Sequence, residues 1–411
     1  MSPREQKGKD LADSGRVKPF RNMWLVPATK DGKRYTVDPI SGHCNCLDHQ
    51  LRQIKCKHLY AVEFSIIETA TVTQETKPDG SVTVTETETI TKAARVTYKQ
   101  NWTAYNGAQM EDKRRFGEML NELCQTISEP EYTFGRPRLP LADMAFACAY
   151  KIYTGFSARR FTTDLQDMQA DGLISKAAHF TSVSRYLANK DLTPLFKHLI
   201  TASSLPMKAV ETDFAVDSSG FGTCRFIKWC DKKYGREIDA REWVKVHVMC
   251  GVQSHIVTSV EIAGWESNDS PYLAPVGAET AKHFQLGNVT ADKGYLSRAN
   301  LKIVADNGGV PFIPFKSNTV IPQEDGSTWT RMYHYFSLNR QEWLANYHQC
   351  SNVESTFSMI KGKFGDAVRG KTNAAQINEV LCKVLCHNIC VLNQAAHELG
   401  IEPQLAPLKT A

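Results

Sequence analysis

The sequence lacks any apolar run of the 18 or so residues that a membrane-spanning helix needs. Its opening stretch, MSPREQKGKDLADSGRVK, is charged and has no apolar core of the kind found in a secretory signal. We therefore expect a protein of the cytoplasm, a reducing compartment. There, the twelve cysteines are expected to bind metal or to pack in a core rather than to form disulfides.

The sequence also has little net charge and no internal repeat. A formal charge of +5 and a pI near 8.5 permit a polyanionic partner without requiring one. From Met1 to Thr69, twelve basic residues face eight acidic ones, a surplus of four, so most of the excess lies at the front of the chain. The 42% hydrophobic content is ordinary for a folded protein, and 411 residues predict two or three domains.

Three cysteines and a histidine near the N-terminus have the spacing of a metal site. The stretch HCNCLDHQLRQIKCKHLYAV contains the pattern C-x-C-x9-C-x-H. Tetrahedral zinc takes four nitrogen or sulfur ligands, and a small lobe with little core gains stability from such a site. His43 and His49 remain alternatives for the fourth ligand. The pattern resembles the SWIM zinc finger, a family associated with transposases and DNA-binding proteins, and the predicted zinc ligands are Cys44, Cys46, Cys56 and His58.

Changes in composition divide the chain into five parts. A Thr-rich alternating stretch with a Pro-Asp-Gly turn predicts an exposed hairpin, a helical period begins near Glu111, and a β-rich pattern begins near Lys208. The predicted parts are a zinc module with a basic tail at 1–69, a hairpin linker at 70–110, a helical region at 111–206, an α/β domain at 207–395 and a tail at 396–411.

The helical region contains the outline of a DNA-binding motif. Two short helical patterns flank Gly172, and a helix, a Gly-bearing turn and a second helix form the helix-turn-helix outline. Ser182, Ser184 and Arg185 would then face a DNA groove. Many helical bundles have the same outline, so the sequence leaves both interpretations open.

The region after Lys208 has the element order of an RNase H-like α/β fold, a mixed sheet flanked by helices. Three strands in a meander are followed by alternating strands and helices. An insertion is expected at about 318–344, because the interval before the last helix is longer than a strand and a loop require.

Three acidic residues fall where such a sheet would bring them together. Asp217 ends the first strand, Asp292 follows the fourth, and Glu354 starts the late helix. Cleavage of a phosphodiester by paired divalent cations needs carboxylates from different elements, since two ions about 4 Å apart share oxygen ligands. These three residues are therefore the candidate catalytic and metal-binding acids.

Each acid has a second interpretation. Asp217 could occupy an Asx-turn and Asp292 could cap a helix, while Glu354 could complete a capping box with Ser351. Asp213 is a rival for Asp217, four residues earlier in the strand. The coincidence of three acids at the three required positions favours a shared site.

From about Lys208 to Leu392 the chain resembles the DDE transposases of bacterial insertion sequences. AVDSSGF, TADKGY and SNVESTFSMIK match the three acidic blocks of that family. The third block resembles the signature Y-x2-R-x3-E-x6-K, with Tyr347, Glu354 and Lys361 in place. Cys350 occupies the position of the arginine, and a neutral thiol cannot fork onto phosphate as a guanidinium does. Reduced activity is expected unless Arg340, Lys361 or Lys363 compensates.

The resemblance implies an activity, cofactors and partners. Magnesium or manganese bound by Asp217, Asp292 and Glu354 would activate a water for strand cleavage and then a 3′-hydroxyl for strand transfer. Lys361 would hold a phosphate and Tyr347 a terminal nucleotide. The implied partners are the terminal inverted repeats and target DNA, bound by a homodimer or larger assembly at the bacterial nucleoid. A nuclease that cuts without joining, and a DNA-binding protein with a degraded active site, remain alternatives.

A basic loop follows the strand of Asp217. The stretch FGTCRFIKWCDKKYGR lies close in sequence to the candidate acids, and bound DNA would be attracted to it. An exposed basic loop without a partner is equally common. The predicted DNA contacts in the loop are Arg225, Lys228, Lys232 and Lys233.

Overall fold

The computed structural model divides the chain into two compact units, Met1–Tyr98 and Lys99–Ala411. Among the described helices, none combines the length and the apolar composition that a membrane crossing requires. The structure describes residues 2–14, 16–20, 23–28, 34–38, 42–52, 54–68, 74–76, 82–84, 101–131, 134–135, 137–223, 243–316, 318–320, 323, 325–400 and 402–405.

The first unit is a small antiparallel sheet with helices. Trp24 pairs with Val37 across two antiparallel strands. The strands run in the order β1-β2-β3-β4. The elements are α1 (Pro3–Asp13), β1 (Lys18–Phe20), β2 (Met23–Pro27), β3 (Arg34–Asp38), β4 (His43–Cys44), α2 (Leu47–Arg52), α3 (Lys57–Glu68), β5 (Gln74–Thr76) and β6 (Val82–Val84).

Helix α1 packs closely on α3 in this unit. Ser2 and Glu5 form a capping box at the start of α1, each side chain bonding to the backbone of the other residue. At Gly8 an added Cβ would collide with Tyr60 of α3, so only glycine permits this approach. β5 and β6 pair antiparallel, in agreement with the predicted Thr-rich hairpin.

The second unit begins with a helical region. The helix predicted from Glu111 begins earlier, at Trp102, because the Asn101 side chain accepts a hydrogen bond from the Ala104 N–H and caps it there. The two short helices predicted around Gly172 are present as the third and fourth of this set. The helices are α4 (Trp102–Cys124), α5 (Leu141–Thr154), α6 (Phe161–Ala170), α7 (Phe180–Leu187) and α8 (Leu192–Ser204).

A five-stranded mixed sheet follows, which confirms the predicted α/β fold class. Its order is β11-β10-β7-β8-β9. The three longest strands form the predicted antiparallel meander, while the two short strands run parallel to β7. The strands are β7 (Phe214–Gly222), β8 (Trp243–Gly251), β9 (Val257–Ala263), β10 (Asn288–Ala291) and β11 (Val310–Phe312).

Helices cover both faces of this sheet. The insertion expected at about 318–344 consists largely of two helices, and its Trp343 packs against Phe312 of β11 with ring centroids 5.9 Å apart. The helices are α9 (Ser270–Ala281), α10 (Arg298–Asp306), α11 (Thr328–Leu338), α12 (Arg340–Tyr347), α13 (Ser351–Phe364) and α14 (Asn373–Leu399).

Alternation along β7 assigns its side chains to two separate cores. Phe214 and Val216 pack with residues of α9 and α10. Ala215 and Phe221 pack with residues of α13 and α14. Because side chains alternate along a strand, Asp217 lies on the face of β7 that meets α13.

Candidate active site

The three predicted acids line one cleft in the second unit. The cleft has a volume of about 250 Å³ and opens to solvent. Asp217 is half-buried, while Asp292 and Glu354 are exposed. The lining residues are Asp217, Asp292, Tyr347, His348, Cys350, Ser351 and Glu354.

Adjacent elements position the two aspartates. Asp217 is the fourth residue of β7. Asp292 follows β10, whose last residue, Ala291, pairs with Val216. The Asp292 carboxylate also accepts a hydrogen bond of 2.7 Å from the Lys293 N–H, so its interpretation as a cap is compatible with a place in the cleft.

Glu354 lies in the first turn of α13, and the capping box that we considered for it is absent. A 3₁₀ turn at His348–Cys350 runs directly into the helix, so the cap position is Cys350 in the α conformation, without a side-chain hydrogen bond. Ser351 instead donates to the carbonyl of His348 at 3.0 Å. Because the chain enters α13 already helical, the Glu354 carboxylate remains available to the cleft.

The rival acid, Asp213, lies elsewhere. It precedes β7, and its carboxylate accepts a hydrogen bond of 2.8 Å from the Asn288 N–H at the start of β10. Four residues of extended chain separate two sites by about 13 Å. Asp213 therefore joins two strands at the opposite end of β10 from Asp292.

The carboxylates influence one another electrostatically. Burial raises the pKa of Asp217 to about 6, opposed by a hydrogen bond from the Ser218 backbone and reinforced by the negative charges of Asp292, Asp269 and Glu354. Carboxylates that repel in this way are relieved by a divalent cation, and Mg²⁺ and Mn²⁺ prefer such hard oxygen ligands. The chemistry of the donor set therefore suits these ions, although the three carboxylates are not brought together as closely as the compact donor group of the first unit.

Asp269 is a fourth acid near the cleft, which the sequence analysis missed. Its Oδ1 accepts from Lys245 Nζ at 2.6 Å and from Ser218 Oγ at 2.9 Å. Its Oδ2 and that of Asp292 would lie 3.5 and 3.9 Å from a Cβ added to Gly294, so the two oxygens border the same glycine. Asp269 belongs to no motif, and its position directly before α9 is the only sequence signal.

Cys350 and Tyr347, two residues of the third acidic block, line the cleft. Burial, followed by the negative charges of Asp217 and Asp292, raises the pKa of the Cys350 thiol to about 12. The thiol is thus neutral where the family pattern has a cation. The Tyr347 ring is half-buried and stacks on Trp343, with centroids 5.2 Å apart and planes inclined by 21°.

Lys361, on α13, contacts the strand that carries Asp217. Its Nζ donates to Ser219 Oγ at 2.7 Å. Ser219 is two residues beyond Asp217 and on the same face of β7, a separation of about 7 Å. Burial lowers the pKa of the Lys361 ammonium.

The other two residues considered as replacements for the arginine have different partners. Lys363 Nζ lies 3.2 Å from an Asp112 carboxylate oxygen and 3.0 Å from Cys390 Sγ, so it is bound between helices. The guanidinium of Arg340 lies 4.7 Å from the ring centroid of Phe336. Of the three, Lys361 is the one in contact with β7.

Of the predicted basic DNA contacts outside the cleft, only Arg185 is among the described residues. Arg185 is exposed on α7, whose Val183 and Leu187 are buried. The basic loop with Arg225, Lys228, Lys232 and Lys233 lies outside the described residues.

In the first unit, the four predicted zinc ligands form one buried cluster. All four ligand atoms lie within 4.8 Å of one another, and no other group of three or more His, Cys, Asp or Glu side chains in the described parts of the chain meets that limit. His58 Nδ1 lies 3.8 Å from one thiol sulfur and 3.9 Å from another. The cluster consists of Cys44, Cys46, Cys56 and His58.

Neighbouring groups support this cluster and account for the two spare histidines. The His49 N–H donates to Cys46 Sγ at 3.4 Å, while the His49 ring lies 2.9 Å from the Ile54 carbonyl oxygen. His43 packs edge-on against His49. Three thiols and an imidazole are the donor set of a structural zinc site, so the cluster can hold a zinc ion.

The fold and the cleft of the second unit define an RNase H-like domain with acids from three elements at one site. Residues 208–389 match the family model described as "Transposase DDE domain". The match supports a transposase DDE domain in this part of the chain, and that family implies binding to DNA. No curated protein and no solved structure matches the chain.

Proposed function

We propose that this protein is an insertion-sequence transposase that cleaves DNA strands and joins the resulting ends to target DNA. One observation carries the proposal. Asp217, Asp292 and Glu354, which stand in three ordered motifs 137 residues apart from first to last (354 − 217), line a single cleft within the transposase DDE domain.

The three carboxylates would hold Mg²⁺ or Mn²⁺. Bound cations would supply Lewis-acid stabilisation of the charge that develops on a phosphodiester and would lower the pKa of an attacking water or hydroxyl. Asp217 contributes a carboxylate whose pKa is raised to about 6, so near neutral pH it is ionised but unfavourably so, and ready to accept a cation.

Two further residues would contact the nucleic acid at the cleft. The Lys361 ammonium, about 7 Å along β7 from Asp217, can hold the phosphate next to the one that is cut. The exposed part of the Tyr347 ring can stack on or bond to the terminal nucleotide. Handling two transposon ends together implies a homodimer or a larger assembly on the terminal inverted repeats.

The first unit would serve as a SWIM-type zinc module. The compact Cys44, Cys46, Cys56 and His58 cluster supports this role, and the basic surplus at the front of the chain is compatible with a contact to DNA.

A second candidate function rests on Cys350. A neutral thiol at the position of a phosphate-binding arginine favours a DNA-binding protein whose active site has degraded. An RNase H-like nuclease that cuts without joining is a third possibility for the same acids.

Plasmid cleavage by the purified full chain separates these functions. Supercoiled plasmid with Mg²⁺ or Mn²⁺ should be nicked by the wild type and not by Asp217→Asn. Asp306→Asn is the matched control, because it removes a carboxylate from the surface of α10. Binding without nicking would identify a degraded protein, and nicking without joined products from a substrate with a 3′-hydroxyl end would identify a nuclease.

A further inference from the structure

Two loops beyond the cleft form an exposed basic surface. The loop 155–160 connects α5 to α6, and the loop 366–371 connects α13 to α14. Arg369 joins them, since its Nη1 donates to the Gly155 carbonyl at 2.9 Å. We call this surface the basic strip, and its members are Phe156, Arg159, Arg160, Arg369 and Lys371.

Among the described residues, the charge of the basic strip is largely uncompensated by carboxylates. The two loops contain four basic residues and one acid, Asp366, a net charge of +3 (4 − 1). The Arg369 guanidinium bonds to a carbonyl rather than to a carboxylate. The guanidinium of Arg159 lies 5.4 Å from the Phe180 ring centroid, which orients it without neutralising it.

Hydrogen bonds to the Glu379 side chain fix the backbone of the loop 366–371. The Glu379 carboxylate, which is buried, accepts hydrogen bonds of 2.9 Å from the N–H groups of Arg369 and Gly370. The negative charge of Glu379 therefore lies on the buried side of the loop, where backbone N–H groups bond to it. The basic side chains of the loop are exposed to solvent.

An exposed aromatic side chain lies within the basic strip. Phe156 is 48% exposed, directly after the glycine that Arg369 contacts. A single exposed apolar residue is common on protein surfaces, but an exposed ring in the same loop as two arginines offers both the stacking surface and the phosphate contacts that bind single-stranded nucleic acid.

The basic strip is continuous with the cleft through β7. The Gly222 N–H donates to the Asp366 carbonyl at 3.1 Å, and the Val368 N–H donates to the Gly222 carbonyl at 2.9 Å, so the loop extends the end of the strand. Gly222 is five positions along β7 from Asp217, a distance of about 17 Å. The Lys361 ammonium lies beside the part of β7 between these two residues, with Nζ 5.3 Å from the Phe221 ring centroid.

We propose that the basic strip binds the DNA that leads out of the active site, with its arginines on the phosphates and Phe156 stacked on an unpaired base. This inference rests on the proposed function for the position of the cut. In a duplex, one strand carries a phosphate every 3.4 Å or so along the helix axis, so the contact would begin about five base pairs from the acids.

Binding by the full chain without divalent cations tests this proposal independently of cleavage. Fluorescence anisotropy with a labelled duplex, blunt or with a single-stranded tail, would compare wild type with Arg159→Ala/Arg160→Ala over a range of salt. Loss of two phosphate contacts should reduce the slope of log K against log [salt] by about 1.8. Phe156→Ala should weaken binding of the tailed duplex roughly fivefold or more and that of the blunt duplex little.

The matched control removes the same charge from the opposite face of the sheet. Lys282→Ala/Lys302→Ala replaces two exposed lysines that follow or lie in the helices on the far side, and its salt slope should remain near that of the wild type. Arg160→Ala alone serves as a second variant, since Arg159 also packs on Phe180 and its loss could disturb α7.

The outcomes separate this proposal from the proposed function. If the wild type binds DNA but nicks no plasmid, a reduced slope in the arginine variant still supports the basic strip. If the wild type nicks plasmid while the arginine variants keep the slope and affinity of the control, the basic strip is not a DNA surface. A changed oligomeric state with unchanged DNA binding would assign it to a second copy of the chain and would overturn the proposal.

Discussion

The two candidate metal sites are constructed in opposite ways. In the first unit, four buried donors from β4, the start of α3 and the segments before α2 and α3 lie within 4.8 Å of one another. In the second unit, three carboxylates surround an open cleft that also contains a tyrosine, a histidine and a thiol. Structural metal sites are closed by protein ligands, whereas a catalytic site keeps room for substrate, so the comparison predicts different consequences of metal loss.

Removal of zinc should have the largest effect. We expect a chelator, or His58→Ala, to unfold the first unit, because structural zinc contributes roughly 10–16 kcal/mol to the folding of small zinc domains. The second unit has its own two cores and should keep its melting transition. Limited proteolysis after chelation should cut within Met1–Tyr98 and spare Lys99–Ala411.

His49→Ala is the control for this experiment, because His49 contacts the Ile54 carbonyl rather than joining the four-ligand cluster. Equal protease resistance of the first unit with and without chelator would show that metal does not hold it together, and the contrast between the two sites would then fail.

Loss of a carboxylate from the cleft should instead stabilise the second unit. The pKa of Asp217 is raised to about 6 from an ordinary 3.8, so the folded state disfavours its charge. At 1.36 kcal/mol per pKa unit, Asp217→Asn should increase the free energy of unfolding by up to about 3 kcal/mol without magnesium.

The pH dependence gives the sign of this effect. Well below pH 3.8 the carboxyl group is protonated in both states, so the variant should gain little there. Between the two pKa values the folded wild type binds more protons than the unfolded wild type, so its stability falls as pH rises. The gain in free energy of unfolding of Asp217→Asn over the wild type should therefore reach its plateau above pH 6. Denaturant unfolding of both proteins at pH 3.5, 5 and 7.5 measures it, and a gain that is constant with pH would contradict the cause.

Replacement of Cys350 by the arginine of the family pattern should increase the activity of the open cleft. Cys350→Arg places a guanidinium in a cleft where the thiol is neutral, and hydrogen bonds to a charged phosphate contribute about 1.5–3 kcal/mol. We expect plasmid nicking to become roughly 10- to 100-fold faster. Cys350→Lys is the control that adds a positive charge without the bidentate geometry of a guanidinium. Its nicking rate should increase less.

An unchanged rate in Cys350→Arg would show that the natural thiol does not limit activity. Lys361, which contacts Ser219 on the strand of Asp217, would then be the residue that supplies the missing charge, and Lys361→Gln should slow the wild type.

The sequence predicted the parts of the site that belong to ordered motifs. Asp217, Asp292 and Glu354 were predicted from the order of strands and helices and from the resemblance of their motifs to the three acidic blocks of DDE transposases, and the structure lines one cleft with them. The capping interpretation of Glu354 was wrong because a 3₁₀ turn leads directly into α13, so the residue before the helix is already in the α conformation. Such a turn has no clear residue pattern. The zinc ligands were predictable because their donors are adjacent in pairs along the chain.

Asp269 was not predictable because tertiary contacts alone define its role. Ser218 Oγ, 51 residues earlier in the chain, and Lys245 Nζ both bond to its carboxylate. Neither periodicity nor spacing relates these residues before the sheet is formed. Their meeting depends on the antiparallel pairing of β7 with β8, which sets Ser218 opposite His247 and Gly220 opposite Lys245.

Asp269→Asn should produce the smallest effect and would show whether the fourth acid belongs to the cleft electrostatically. The substitution removes a negative charge that raises the pKa of Asp217 and leaves Lys245 as an unpaired cation nearby. Both changes lower the pKa of Asp217. At limiting Mg²⁺, where protons compete with the cation for this carboxylate, the acid limb of the nicking rate should move down by roughly half a pH unit.

A purely structural role for Asp269 would give a different result. Loss of its partly exposed pair with Lys245 should cost about 1 kcal/mol or less of stability and would lower the rate equally at every pH. Asp306→Asn, which removes an acid of α10, should leave the profile in place. A displaced acid limb in Asp269→Asn alone would therefore extend the like-charged cleft to four carboxylates, and a uniform loss would restrict it to three.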